Sequence, residues 1–439
     1  MISYKNDIFA SRKEQKIETL NCEEKKFFYI TQEKINNLKN AVNPAEFNCY
    51  IANIINDIEL EDSFDSMIKM TDSVYFNSNE ISIIPEFIQA LISFLENDKF
   101  TCNVLYLLIN LWYVQSYCPI LMNEDLINCV MKKCYSINLN VVQYAFSSFA
   151  NLASYFPNLF NKYLNDEFTQ LLMKYLSNEV PYGILDPLIR FVLCLVGGSK
   201  TDFFVKFIPN FIDILKNKIP KIVSFDSDIL SCLIKKEENL KIIYDNNFIA
   251  IGLNSFHLLS SEQHFGIYNC ILSLINYGII DEFTTDNFIS ILSNDFNQYF
   301  RTPASTFFNV VLSLMKYSWK EFYEFGFITQ MIDCSNLIEF CNKECLILTL
   351  ISFFDFCDLD TMCKVFEESN IFTFLTEMLV CLDTDSIVKL LNHLTNAILR
   401  NSSLKEIIIQ SRFIDELQSN DEIPIEIIQN FLKVFDNYI

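Results

Sequence analysis

Apolar and polar positions repeat along this chain with a long period. An aromatic–apolar step, usually Phe-Ile, recurs as Phe87-Ile88, Leu126-Ile127, Phe168-Thr169, Phe211-Ile212, Phe248-Ile249, Phe288-Ile289, Phe327-Ile328, Phe372-Thr373 and Phe413-Ile414. The gaps run from 37 to 45 residues. The residue four places on is usually apolar as well: Leu91, Val130, Leu172, Leu215, Leu292, Met331 and Leu417, with Gly252 and Thr376 as exceptions. Four-residue spacing puts both positions on one face of a helix. After each step comes a break and then a longer apolar segment. These segments are 101–114, 140–155, 182–196, 227–236, 262–277, 303–317, 343–356 and 385–399, each predicted to be helical. Pro181, Gly197-Gly198, Pro209, Pro220, Gly278 and Pro424 mark the joints.

The ends of the array differ from its middle. Residues 1–40 read as a weakly basic, polar tail. Residues 41–83 hold two predicted capping helices, 45–58 and 62–75, the first opened by Asn43-Pro44, since proline suits a first helical turn. The regular array spans 84–439 and closes on a predicted capping helix over 425–438. A period of roughly 40 to 47 residues belongs to armadillo and HEAT repeats, not to the shorter ankyrin or tetratricopeptide units. The expected fold class is therefore all-α: a right-handed superhelical solenoid of about eight to ten such units, working through a long surface.

Composition fits that expectation. The hydrophobic fraction is 51% and the mean hydropathy +0.21, yet no apolar run approaches the roughly 18 residues that a membrane span needs. Met1 to Ala10 carries Lys5 and Asp7 and no long apolar core, so no secretory leader is expected there. The fifteen cysteines sit largely in apolar helical segments and form no CxxC pair, which reads as reduced thiols acting as small hydrophobes. Net charge is −22, and it is uneven. Residues 1–40 hold eight basic and six acidic residues, a net of +2; the remainder holds 25 and 49, a net of −24. Nucleic acid is disfavoured as a partner, and basic proteins or peptides are favoured.

Catalytic chemistry is not visible. The three histidines, His257, His264 and His393, fall in no metal-binding or nucleophile motif. Cys341 and Cys345 share a helical face but lack the further ligands that zinc requires. No glycine-rich phosphate loop occurs. A non-enzymatic protein without cofactor or metal is expected.

The unit resembles the armadillo repeat, whose last helix carries a small Trp-x-x-x-Asn motif near its middle. "VLYLLINLWY" puts Tyr106 and Asn110 at those two places, "YAFSSFANLAS" puts Ser147 and Asn151 there, and "LIRFVLCLVGGS" puts Arg190 and Cys194 there. Further on, the Asn place reads Cys232, Ser273, Ser313, Ser352 and Asn396, and the Trp place reads Asp228, Asn269, Asn309, Leu348 and Asn392. No Trp place holds Trp.

Within armadillo proteins the sequence is most similar to importin alpha, the nuclear-import adaptor. "IIPEFIQALISFL" looks like that family's first repeat. The tail residues Arg12, Lys13, Lys16, Lys25 and Lys26 stand where that family binds an importin-beta-like carrier, although acidic residues dilute them here.

The resemblance implies an adaptor of the cytoplasm, the nucleus or both, which takes basic or extended peptides in a groove. Tyr106, Asn110, Ser147, Asn151, Arg190, Cys194, Asn269, Asn309, Asn392 and Asn396 would line that groove. An Asn amide can bracket a peptide main chain, having both donor and acceptor. Without Trp, slots for lysine stems become shallow, and Arg190 repels lysine. Two alternatives stand beside this reading. The chain is a generic interaction scaffold without a transport role, or the small residues of the Asn place simply serve helix–helix packing. The tail either folds onto the acidic array or makes no contact with it.

Overall fold

The structure, a computed structural model, describes residues 43–71, 83–113, 118–198, 201–260, 263–296, 305–334, 340–368, 370–420 and 423–435. The basic tail positions and residues 72–75, 114, 262, 303–304 and 436–438 of the predicted helices lie outside them. Among the described residues all regular structure is helical, and no strand occurs. The chain forms two compact units, one ending at Phe203 and the other beginning at Phe204.

The first unit contains α1 (Pro44–Ile55), α2 (Leu60–Thr71), α3 (Pro85–Glu96), α4 (Thr101–Tyr113), α5 (Glu124–Lys133), α6 (Leu139–Tyr155), α7 (Asp166–Tyr175) and α8 (Tyr182–Gly198). They alternate between two layers. Helices α2, α4, α6 and α8 pack side by side in that order as a ladder, with α1, α3 and α5 following one another behind it and α7 against α8. The Phe-Ile steps belong to this second layer, in α3, α5 and α7. Phe87, Leu126 and Phe168 are buried there, as are Leu91, Val130 and Leu172 four residues on. Asn123 and Asn165 start α5 and α7 by accepting the main-chain N–H of the step residue itself, Leu126 at 3.0 Å and Phe168 at 2.9 Å. Each is a side-chain cap three residues before the step. Phe191 of α8 is the aromatic hub of the core, with ring centroids 5.6 Å from Phe149, 4.9 Å from Phe160 and 6.2 Å from Phe168.

The second unit contains α9 (Ile208–Ile214), α10 (Pro220–Leu233), α11 (Glu237–Asp245), α12 (Phe248–Ser255), α13 (Phe265–Asn276), α14 (Asp286–Phe296), α15 (Ser305–Glu324), α16 (Phe327–Asp333), α17 (Phe340–Phe356), α18 (Leu359–Glu367), α19 (Ile371–Met378), α20 (Thr384–Arg400), α21 (Leu404–Gln410), α22 (Phe413–Ser419) and α23 (Ile425–Leu432). Its ladder runs α10, α13, α15, α17, α20, α23, each packed on the next. The step residues Phe211, Phe248, Phe288, Phe327, Phe372 and Phe413 are all buried in the shorter helices behind it.

Some predicted boundaries move and others hold; among those that move, the capping helix expected over 425–438 stops at Leu432. The segment expected over 227–236 is α10, which starts at Pro220, because proline at the first helical position gives up an N–H that has no partner there anyway. The segment expected to end at 317 does break there: Ser318, with φ −134° and ψ 25°, kinks α15, and a second short stretch follows to Glu324. The helix expected over 45–58 stops at Ile55, where Asp57 adopts φ 62°.

Candidate peptide-binding surface

The sixteen Trp-place and Asn-place residues all lie on ladder helices, α4, α6 and α8 in the first unit and α10, α13, α15, α17 and α20 in the second. None of the sixteen is buried; each is half-buried or exposed. Within each unit these places lie on the side of the ladder helices that stays out of the core, while the apolar residues around them are buried.

In the first unit this face is stitched from helix to helix. The Asn110 amide donates to the Thr71 hydroxyl on α2 at 3.0 Å. The Asn151 amide donates to the Ile109 carbonyl on α4 at 2.7 Å. The Cys194 thiol approaches the Ala150 carbonyl on α6 at 3.8 Å, and burial pushes that thiol up to about 12. Each Asn-place side chain therefore reaches back to the preceding ladder helix. Ser148 and Tyr155 do the same, to Leu105 O at 3.0 Å and Tyr113 O at 2.9 Å. Tyr106 meets Tyr144 edge-to-face at 5.7 Å, so its aromatic wall is a pair. Ser147 turns its hydroxyl onto the Gln143 carbonyl at 2.9 Å. Arg190 faces Asp186, one turn earlier, at 3.3 Å.

The second unit arranges its row differently. Ser273 and Ser313 donate to the carbonyls of Asn269 and Asn309, at 2.9 and 2.7 Å. Asn309, Asn392 and Asn396 are exposed and Asn269 is half-buried. Four residues beyond Ser273, Ser313 and Ser352 stand Tyr277, just past the end of α13, Tyr317, beside the Ser318 kink inside α15, and Phe356, the last residue of α17; they are 41%, 49% and 40% exposed. These aromatics were missed as site residues. The signal was present as Asn269-x-x-x-Ser273-x-x-x-Tyr277 and Asn309-x-x-x-Ser313-x-x-x-Tyr317, one face of a helix read over two turns. Gly278, at φ +102°, ends α13 in a Schellman turn: Gly278 N–H bonds Ile275 O at 2.9 Å and Ile279 N–H bonds Leu274 O at 3.0 Å. Tyr277 is thereby fixed at the last turn.

Two of the histidines belong to packing networks. His264 is buried, with Nδ1 3.0 Å from Asp295 Oδ2 and Nε2 3.1 Å from Phe256 O, while Tyr268 donates to the same carboxylate oxygen at 2.8 Å. His393 Nε2 lies 2.8 Å from Asp355 Oδ1. Among the described residues no group of three or more His, Cys, Asp or Glu side chains is placed to hold a metal ion, and no helix is long and apolar enough to cross a membrane.

No protein-family model and no curated protein sequence matches the chain. Solved structures do. An engineered protein determined by a structural genomics consortium matches with a TM-score of 0.65 at 11% identity, over 89% of this chain and 98% of its own. A chain from a structure on the phosphorylation switch that controls the interaction between cadherin and beta-catenin matches with a TM-score of 0.57, also at 11% identity, over 88% of this chain and 81% of its own. Identity at that level speaks for the fold alone. Together with the all-helical two-layer packing and the period of about 40 residues, it makes this chain an all-α solenoid of armadillo/HEAT type.

Proposed function

We propose that this chain is a non-enzymatic protein-interaction scaffold that takes an extended segment of a protein partner along its ladder faces. One observation carries the reading: sixteen residues at equivalent places of successive ladder helices, rich in Asn and Ser, all stay out of the core. The net charge of −22 supports a basic protein as partner, drawn in by long-range attraction.

The finer reading is an importin-alpha-type adaptor that carries basic segments between cytoplasm and nucleus with an importin-beta-like carrier. Asn110 and Asn151 in register on α4 and α6, beside the Tyr106–Tyr144 pair, support it. Against it, one N–H of each amide is already donated to a neighbouring helix, and Arg190 stands in the row. The generic scaffold is therefore the reading we favour.

Titration of a lysine-rich import-signal peptide against the protein and its Asn110→Ala/Asn151→Ala double variant separates the two. An adaptor loses about one to two orders of magnitude in affinity in the double variant, from two peptide bonds of roughly 0.5–1.5 kcal/mol each. A generic scaffold shows no lysine-peptide binding in either form. Hydrogen exchange with a bound partner tests the scaffold itself: protection confined to α3, α5 and α7, leaving the ladders unchanged, contradicts it.

A further inference from the structure

Helix α10 buries a carboxyl group among acids. Asp226 is 0% exposed, and neither of its carboxylate oxygens has a hydrogen-bond partner. The titratable groups that bear on it come from both helices packed against α10, namely α9 and α13. Burial, and after it the charge of Asp213 on α9, holds the Asp226 carboxyl well above its ordinary range. Asp213 itself is bonded to Lys216 at 2.8 Å. On α13 the buried Cys270 thiol is raised in turn, first by burial and then by Asp228, Cys232 and Asp226. Asp213 and Cys270 are both acids, so neither neutralises a carboxylate at Asp226. A charge held out of water without a partner is costly, and the neutral acid far less so.

The seat of that helix is tight. A Cβ added to Gly266 of α13 would stand 2.5 Å from the main-chain carbon and the Oγ of Ser227, and 2.6 Å from the main-chain nitrogen of Asp228. The peptide group just after Asp226 therefore rests directly on the backbone of α13, with no side chain between. Helix α13 is in turn tied to α14, where His264 Nδ1 and the Tyr268 hydroxyl both meet Asp295 Oδ2, at 3.0 and 2.8 Å. A movement that carries the Asp226 carboxylate to water thus lifts α10 from Gly266 and leaves α13 with α14. Freed of its neighbours, a helix of 14 residues is marginal on its own.

We propose that Asp226 is a proton-operated latch at the α10–α13 junction. With the proton in place, α10 stays seated on Gly266; when the proton leaves, α10 lifts away and the carboxylate reaches water. The buried form is the neutral acid, so the junction is closed at acid pH and opens as pH rises through the folded-state value. Asp228 and Cys232 of α10 and Asn269 and Ser273 of α13 are neighbouring places of one row, and opening parts them. The latch goes beyond the scaffold reading and holds whatever the ladder face binds.

Hydrogen exchange on the full chain, read by mass spectrometry from acid to alkaline pH, tests the latch. The quantity compared is the protection factor, in which the intrinsic pH dependence of exchange cancels. Release of one proton per opening makes α10 protection fall about tenfold per pH unit on the alkaline side, while α15 and α17 keep theirs. Asp226→Asn has no proton to lose there and should leave α10 protection level across the range. Should that variant fail to fold, Asp226→Leu gives the same reading. Gly266→Ala should prop the junction open and lower α10 protection at every pH, with α17 unaffected. The proposal is overturned by α10 protection that does not change with pH in the parent, or by an Asp226→Asn variant that keeps the parent's pH dependence. An equal fall across α10, α15 and α17, the mark of the whole unit unfolding, overturns it too. So does a Gly266→Ala variant whose α10 is as protected as the parent's.

Discussion

The amide of Asn151 on α6 donates to the main-chain carbonyl of Ile109 on α4 at 2.7 Å. Inside a helix that carbonyl already has a helical partner, so the amide is a second donor shared between neighbouring helices. An Asn at this place ties the ladder together whether or not a ligand is present.

Asn151→Ala should therefore lower stability by about 0.5–1.5 kcal/mol even without ligand. Urea unfolding reads it directly. A variant as stable as the parent would show that the amide serves only a ligand.

Phe191→Ala should cost far more, about 3–5 kcal/mol, because the ring touches Phe149, Phe160 and Phe168 and leaves a cavity when removed. Phe191→Leu should recover much of that loss. A comparison of denaturation midpoints for the two variants checks the cavity argument.

Asp226 of α10 is completely buried, and neither carboxylate oxygen has a hydrogen-bond partner. Burial, reinforced by Asp213, holds its carboxyl well above the ordinary range. A raised folded-state value means that the stability tied to the protonated form is fully present below the unfolded value near 4 and is lost as pH rises through the folded value. Asp226→Asn should flatten that decline. Asp226→Leu should stabilise the protein by about 1–3 kcal/mol at alkaline pH, by removing an unsatisfied polar group. Urea midpoints measured from acid to alkaline pH decide, and parallel curves for parent and variant would refute the argument.

Gly278→Ala isolates a backbone effect. Nothing lies within 4 Å of the Cβ it would add, so no clash occurs, but φ +102° is costly for any residue with a Cβ. The expected loss is about 1–2 kcal/mol. Gly278→Asn, which tolerates the left-handed region better, should lose less. Thermal melts of both variants check the order.

Much of the fold was legible because repetition amplified it. One Phe-Ile step is weak, but nine in phase located every second-layer helix that buries a step residue, and α6, α8, α17 and α20 follow closely the segments expected from their apolar runs. Boundaries governed by local backbone geometry were not legible. Proline 220 looked like a joint and is a helix start; Asp57 ends α1 through a left-handed conformation that Asp tolerates but does not announce. The open face was legible through the Asn and Ser positions, since polar residues recurring at a fixed place of an apolar helix mark the side left out of the core. What those amides touch was not, because Asn151 and Ile109 are 42 residues apart and only packing brings them together. The exposed aromatics escaped notice because chain composition makes Phe and Tyr common, and only exposure separates Tyr317 from the buried rings around it.

The stitches of the first ladder have a kinetic consequence. Ser148 to Leu105, Asn151 to Ile109, Tyr155 to Tyr113 and Cys194 to Ala150 span 43, 42, 42 and 44 residues, one period each. Forming any of them closes a loop of one length, and loop-closure entropy grows only slowly with length. No stitch is the difficult late event that sets the pace. Folding of this unit can begin at whichever pair of neighbouring helices meets first and spread in both directions, each new helix templated by the last. The same locality limits damage: a lesion at one junction opens that junction, and the pairs beyond it hold.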